Sequence, residues 1–397
     1  ISALIGVEFQ QNYALGKTIR GNNISQLLGE KLNYSLLAPA DVTVSETNST
    51  IHRESIFGRV AYAYDDRYLV SASLRRDGDS RFGANNKYEV FPAVSLGWNV
   101  HNESFFNAEG TLSKLKLRVS SGSLGTTSNL GAYNSLSILN GGNSVLGNAF
   151  LIPNDVANPN LTWQTNTETN FGVDLGILNN RFTLGVDYYT SDIEDILIDQ
   201  SVSEVFGTSS VKLNSGDVKS SGLEFEFNAR LLSNDDFSWN MSANLSTVNT
   251  EITNLGPLTQ LPDVAFGTSG RAAVYRNYVG GEIGELWALE TTGWVEEKHM
   301  INPLDVIGNS SGEVYVVDQQ QPGEPGFGVI DATKSVEDGG DLVKQGTNTP
   351  DFYWGMTQNI SYKNFDLSMQ WQGSHGGVLY NVDPLYNGSN WGGRLRG

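Results

Sequence analysis

The chain has 397 residues, a formal net charge of −19, 44 glycines, 17 Phe, 16 Tyr, 8 Trp and no cysteine. That acidic balance argues against nucleic-acid binding, which needs a basic surface, and the missing cysteine removes disulfides, thiolate metal sites and cysteine nucleophiles. No apolar run reaches 18 residues, so no membrane-spanning helix is encoded. The opening ISALIGVEFQ lacks a basic leader with a long apolar core and reads as the middle of a strand; the closing WGGRLRG reads as a glycine-rich loop. The sequence is therefore expected to be an internal portion of a longer protein.

In chain order, the dominant pattern is strict alternation of apolar and polar residues, the signature of strands with one oily and one wet face. Val60, Tyr62 and Tyr64 lead through Asp65-Asp66 into Tyr68, Val70, Ala72 and Leu74. Val94, Leu96, Trp98 and Val100 form the next apolar file, followed by Leu115, Leu117 and Val119 against Lys116, Arg118 and Ser120. Phe171, Val173, Leu175 and Ile177 turn at Asn179-Asn180 into Phe182, Leu184, Val186 and Tyr188. LEFEFNARLLSNDDFSWNMSANLS (223–246) is a complete hairpin, and Trp354, Met356, Ile360 and Tyr362 lead through Lys363 into Phe365, Leu367, Met369 and Trp371. About eleven strands are expected, with a weaker twelfth within 281–292.

The connections fall into two kinds. Short ones are expected at 65–66, 178–180, 232–236 and 363, with a medium one at 101–113; long ones at 10–55, 77–87, 123–165, 191–218 and 249–351. They alternate along the chain, as in an antiparallel up-and-down transmembrane barrel with short turns at one rim and long loops at the other. A Greek-key sandwich has no such regularity. Tyr64, Tyr68, Phe182, Phe237, Trp239, Tyr362 and Phe365 sit beside the short turns, where an aromatic girdle belongs. The opposite parity carries Lys116, Arg118, Asp174, Asp187, Glu224, Glu226 and Arg230, suited to a water-filled or plugged lumen.

Little in the sequence suggests covalent chemistry, and no catalytic, cofactor-binding, metal or substrate-binding residue is assigned. His52, His101, His299 and His375 lie in or beside connections without ligand spacing. Asp77-Gly78-Asp79-Ser80 opens like a calcium loop but lacks the later acidic ligand, so a strand-end turn is the better reading. Residues 249–350 hold fifteen acids and five bases, and 191–218 hold six acids and one base. These are solvated loop surfaces or, alternatively, a cation-attracting mouth; the acids of 313–341 leave calcium binding open. Trp163, Trp287, Trp294 and Trp391 lie outside the strands, where an indole either packs locally or stacks on a sugar ring.

Five separated segments carry a family resemblance. YAYDDRYLVSASLRRDGDSRFGANNKYEVFPAVSLGW (62–98), LKLRVSSGSLG (115–125) and NPNLTWQTNTETNFGVDLGILNNRFTLGVDYYTSDIEDILI (158–198) come first. NSGDVKSSGLEFEF (214–227) and GTNTPDFYWGMTQNISYKNFDLSMQWQGSHGG (346–377) follow. Together they resemble SusC-like (SusC/RagA-type) TonB-dependent outer-membrane transporters. The resemblance implies a 22-stranded barrel closed by an N-terminal plug and driven through TonB, with a SusD-like surface lipoprotein as lid and nutrient oligomers as cargo. The plug and TonB box lie outside this sequence. The family's DxxxDG-type acidic segment is replaced here by GEPGFGVIDATKSVEDGGDLVKQGTNTP with altered spacing, so no cation site is carried over.

Residues 1–397 thus read as about 11–12 strands of such a barrel in the bacterial outer membrane, without enzymatic activity or cofactor. The expected activity is import of nutrient oligomers, glycans foremost and peptides as the other cargo. The alternatives are a non-transporting adhesive or structural barrel and a secreted β-sandwich that binds glycans.

Overall fold

The computed structural model describes residues 1–22, 41–107, 111–127, 130–141, 151–153, 156–203, 210–265, 273–289, 291–294, 314–316, 336–338 and 340–379. The first five strands are β1 (Ser2–Gly21), β2 (Val42–Tyr64), β3 (Tyr68–Asp79), β4 (Tyr88–Asn99) and β5 (Leu112–Thr126). Short strands β6 (Leu139–Gly141) and β7 (Leu151–Pro153) pair with each other. Then come β8 (Gln164–Ile177), β9 (Phe182–Ser201), β10 (Ser210–Ser233), β11 (Phe237–Thr247) and β12 (Asn249–Asn254). Strands β13 (Val264–Ala265), β14 (Ala273–Arg276) and β15 (Glu285–Leu289) belong to the last long connection, as do β16 (Thr291–Trp294), β17 (Val314–Val316) and β18 (Leu342–Thr347). Strands β19 (Phe352–Tyr362) and β20 (Phe365–His375) complete the set.

Twelve of these strands form one antiparallel sheet in the order β1-β2-β3-β4-β5-β8-β9-β10-β11-β19-β20, with β12 on β10 beyond the end of β11. Each strand along the path pairs with the next one built into the wall, so consecutive connections fall at opposite ends. This is the meander expected from the sequence, and the sheet is open, with β1 and β20 as its edges. One continuous sheet excludes the sandwich alternative, in which two sheets would face each other across a core.

The short turns follow from local chemistry. Asp65 and Asp66 both have positive φ, 49° and 54°, and the Arg67 amide donates to the Tyr64 carbonyl at 2.8 Å. Three residues, Asp65 to Arg67, thus reverse the chain between the paired Tyr64 and Tyr68, and the two left-handed aspartates give the turn a twist that suits the strands it joins. Leu178, Asn179 and Asn180 are also left-handed, and the two asparagines tolerate that conformation better than most residues.

Register places the apolar parity on one face without interruption. Tyr62 pairs with Val70, Val70 with Leu96, Leu96 with Val119, Val119 with Phe171, Phe171 with Tyr188 and Tyr188 with Leu223. This row crosses seven strands, and Tyr62, Val70, Leu96, Phe171, Tyr188 and Leu223 are all exposed. A contiguous apolar belt of this extent on a water-soluble protein would be an aggregation surface; on a barrel wall it faces lipid. At the short-turn end Tyr64, Tyr68 and Trp98 stack in sequence at 6.4 and 6.3 Å between ring centroids. Phe182 stacks on Phe227, and Phe237 meets Tyr362.

Three expectations from sequence need correction. The connection expected at 10–55 is mostly strand, because β1 and β2 pair continuously from Ser2↔Ala61 to Gly21↔Val42. The one expected at 191–218 shrinks likewise, since β9 and β10 remain paired out to Ser201↔Ser210. About 9–11 tilted residues cross a bilayer, so strands of 20 to 24 residues run on beyond it. There both faces meet water and the alternation that marks a strand in sequence fades. The weak strand within 281–292 exists as β15, but it belongs to a separate four-stranded sheet, β13-β14-β15-β18, and not to the wall.

Candidate functional site

The functional surface of such a wall is its polar face together with the rim from which the long connections rise. On the polar face Arg118 of β5 stands in register with Gly172 of β8, and Gly172 with Asp187 of β9. The Arg118 guanidinium donates to Asp174 at 2.9 Å and to Asp187 at 2.9 and 3.0 Å, lying across the position where Gly172 has no side chain. A Cβ there would come within 2.6 Å of Asp187 Oδ1 and 2.7 Å of the Arg118 Cζ. One cation thereby ties three strands together through planar, charge-assisted bonds.

A second network spans β1–β3. Arg75 donates to Asp77 at 2.6 Å, Ser55 at 2.7 Å and Glu8 at 3.1 Å, and its guanidinium lies 5.1 Å from the Phe57 ring centroid. Toward the long-loop end the Asp79 side chain is fully buried and paired with Arg81 at 2.7 Å and Arg53 at 2.8 Å. Arg81 also donates to the backbone carbonyls of Thr127 and Leu130, which ties the connection after β3 to the one after β5. Burial pushes the Asp79 carboxyl up, but the hydrogen bonds and charge of Arg81 and Arg53 outweigh it and hold it below the usual carboxylate range. The calcium-like DGDS stretch is therefore a structural lock, and Gly78 is the position over which the Tyr88 ring lies.

Beside this lock an apolar cluster of Phe82, Phe91, Leu130, Leu161 and Trp163 fills the polar side of the wall, where the connections fold inward. Trp163 is 6% exposed and packs on Phe82 at 4.4 Å and Phe91 at 5.6 Å, so it is a core residue and not a free stacking platform. Trp287 in the loop sheet donates its indole N–H to Glu285 and lies under the Arg276 guanidinium. The Trp294 side chain and Trp391 lie outside the described residues, as does His299 and most of the acidic stretch 313–341. His101 bonds the Leu115 carbonyl and His375 stacks on Phe352. Among the described residues no group of three or more metal-capable side chains converges.

The loop sheet has its own polar centre. Glu285, with no exposed surface, accepts from Lys344 Nζ at 2.9 Å, the Glu282 amide at 2.8 Å and the Trp287 indole at 3.1 Å. Arg276, also buried, pairs with Asp263 at 2.8 Å. Parity in the sequence already put Arg118, Asp174 and Asp187 on one face; the register that joins them was not readable locally. The Asp79–Arg81 and Glu285–Lys344 pairs were missed, the second because its members are 59 residues apart.

A single antiparallel wall with a lipid-type apolar belt, stacked aromatics at the short-turn rim and charges on the other face defines a transmembrane β-barrel. Residues 3–337 match the family model described as TonB dependent receptor-like, beta-barrel, and the chain belongs to that family. It is 30% identical over 371 residues to the TonB-dependent receptor P3 of Formosa agariphila, covering 90% of this chain and 35% of that protein. It is 30% identical over 376 residues to the TonB-dependent receptor SusC of Bacteroides thetaiotaomicron, covering 89% and 34%. Among solved structures, the RagAB peptide importer in its open-open state aligns over 94% of this chain and 38% of that one, with TM-score 0.72 and 23% identity. The chain thus spans about a third of these relatives and is a SusC-like outer-membrane β-barrel segment.

Proposed function

We propose that the protein containing this chain imports nutrient oligomers, glycans foremost, across the bacterial outer membrane, powered through TonB. The observation that carries this reading is the division of one continuous sheet into an apolar belt and a charged, cross-linked inner face. A wall of this kind lets a hydrated interior exist in lipid, because every backbone group inside it is spent on a neighbouring strand. No step of covalent chemistry is assigned to it.

The long connections after β3, β5, β9 and β12 form the outer mouth in this reading, and Arg81 with the Phe82–Trp163 cluster locks the first two of them to each other. A SusD-like surface lipoprotein meets that mouth, and a plug domain fills the lumen; both are carried over from the family. Deletion of the full-length gene, followed by growth and uptake on a panel of polysaccharides and peptides, tests the proposal. A selective defect on one polymer supports it, and unimpaired growth on every candidate polymer overturns it. A polymer-independent loss of surface attachment would instead favour the adhesive barrel.

A further inference from the structure

The lipid-facing side of the wall carries a charge inside its apolar rows. Arg76 of β3 has the outward parity of Tyr68, Val70, Ala72 and Leu74 and is exposed. On its own row it stands between Ile56 and Val90, with Val7 beyond Ile56, and all three of these are exposed. The guanidinium lies 4.0 Å from the Tyr88 ring centroid and forms no ion pair or hydrogen bond among the described residues. Glu54, the acid one row above it in register with Gly78, is not within ion-pair distance. Lys17 and Lys219 share the outward face, and each of them has an acid within reach, Glu46 at 3.2 Å and Asp192 at 3.9 Å.

Height and shape say what meets this charge. Arg76 is eight residues from Tyr68 at the short-turn rim, so at about 3.4 Å per residue and a tilt of about 40° it sits roughly 20 Å above that rim. In an apolar band about 25 Å tall this is the outer edge, on the long-loop side, where lipid headgroups begin. Directly below, an apolar groove of about 700 Å³ crosses β1–β5 between two outward rows, Ala3–Val60–Ala72–Val94 and Ile5–Gly58–Leu74–Pro92. Gly58 opens this groove, and nothing within the sheet requires a glycine there. The register runs through it without a bulge, its φ is not left-handed, and a Cβ would meet only the Leu4 carbonyl, at 3.6 Å. A glycine inside a strand, with no bulge and no crowding to explain it, marks a close approach by another molecule.

We propose that Arg76 and this groove bind an anionic, phosphate-bearing lipid of the outer leaflet, with its phosphate on the guanidinium and an acyl chain over Gly58 and Ala72. A guanidinium presents a planar fork of donors that matches phosphate oxygens, and the wall itself supplies no anion to occupy it. The Tyr88 ring holds the guanidinium by cation–π attraction and leaves its N–H groups unspent. A lipid without phosphate offers the fork no partner, and free phosphate has no chain to fill the groove. The inference rests on the membrane orientation of the wall and is independent of what the barrel imports.

The test uses the full-length protein in a neutral detergent, with native mass spectrometry to count adducts. The probes are lipid A carrying its phosphates, the same lipid A after phosphate removal, and inorganic phosphate. The wild type is expected to hold phosphorylated lipid A at concentrations where the other two probes leave it bare. Arg76→Gln should weaken that binding about tenfold, the loss of one charge-assisted contact, with Arg76→Lys in between. Gly58→Leu fills the groove with a side chain that lipid accepts and should weaken binding similarly. Ala72→Leu fills the same groove from the next strand and takes the place of Gly58→Leu if that variant lowers the folded yield. Equal binding by the wild type, Arg76→Gln and the groove variant overturns the site. Equal binding of both forms of lipid A overturns the phosphate contact, and binding of inorganic phosphate as tight as that of lipid A overturns the acyl seat.

Discussion

Arg118 bonds Asp187 across a strand that contributes no side chain at the crossing, because Gly172 stands between them. The absence of a Cβ is what lets a guanidinium on β5 reach a carboxylate two strands away. Gly172→Ala is therefore expected to break the Asp187 bonds while sparing those to Asp174. The sites are partly exposed, so the loss should be moderate, about 1–2 kcal/mol. Arg118→Ala should cost more than Gly172→Ala, since it strands both carboxylates. The heat-modified gel shift of the full-length barrel in detergent measures both.

Lipid and lumen faces should respond oppositely to the same charge. Val94 and Ala93 are neighbours on β4, and Val94 lies on the exposed apolar face opposite Ala72. Val94→Arg, near the middle of the belt, is expected to destabilise by about 2–4 kcal/mol. Ala93→Arg, on the inner face, should cost well under half as much. Urea-driven folding into vesicles compares them directly.

The Asp79–Arg81 lock predicts a local failure of the mouth. Arg81→Met leaves the fully buried Asp79 carboxylate with Arg53 and the residue-81 backbone amide but without its buried guanidinium partner, a loss of about 3 kcal/mol for a buried pair. The wall should survive, because its strands are paired independently of this contact. Protease added to intact cells should cut within the connections at 80–87 or 127–163 in the variant and not in the wild type.

Glu285 gives the loop sheet a pH dependence of definite sign. Burial pushes its carboxyl up, but the bonds from Lys344, the Glu282 amide and the Trp287 indole hold it below its ordinary 4.5. Stability from that depression is fully present above about pH 4.5 and is lost as pH falls through the folded value. Lys344 is raised above 10.5, first by its bond to Glu285, so its share is complete below 10.5 and is lost only above it. Hydrogen-exchange protection of residues 273–289 should thus be flat near neutrality and fall on the acid side. Lys344→Met should reverse the acid limb, because a buried Glu285 without its partner is best accommodated when protonated.

How legible the fold was in the sequence depended on where two different solvents met the same strand. From Val60 to Leu74 one face meets lipid and the other water, so alternation is enforced and the strands could be read off directly. Beyond the rim, as at Lys17–Gly21 or Ser210–Asn214, both faces are wet and the pattern that would mark a strand disappears. The strand Glu285–Leu289 was visible as alternation, but local alternation cannot say which sheet a strand joins. Parity gathered Arg118, Asp174 and Asp187, while their contact depended on register, which the turn at 178–181 fixes over many residues. Trp163 read as a loop residue because nothing local reveals that its connection folds inward onto Phe82 and Phe91.

The central claim is that this sheet is a membrane wall with lipid on the Val94–Leu96 face. The 397 residues contain no cysteine, so single cysteines along β4 can be read against a blank background within this chain. In outer membranes holding the full-length protein, cysteines at Val90, Val94 and Leu96 should resist a water-soluble maleimide and be reached by a lipid-phase quencher. Those at Ala93, Ser95 and Gly97 should give the opposite pattern, with a period of two. Uniform labelling by the water-soluble reagent on both parities would contradict the account.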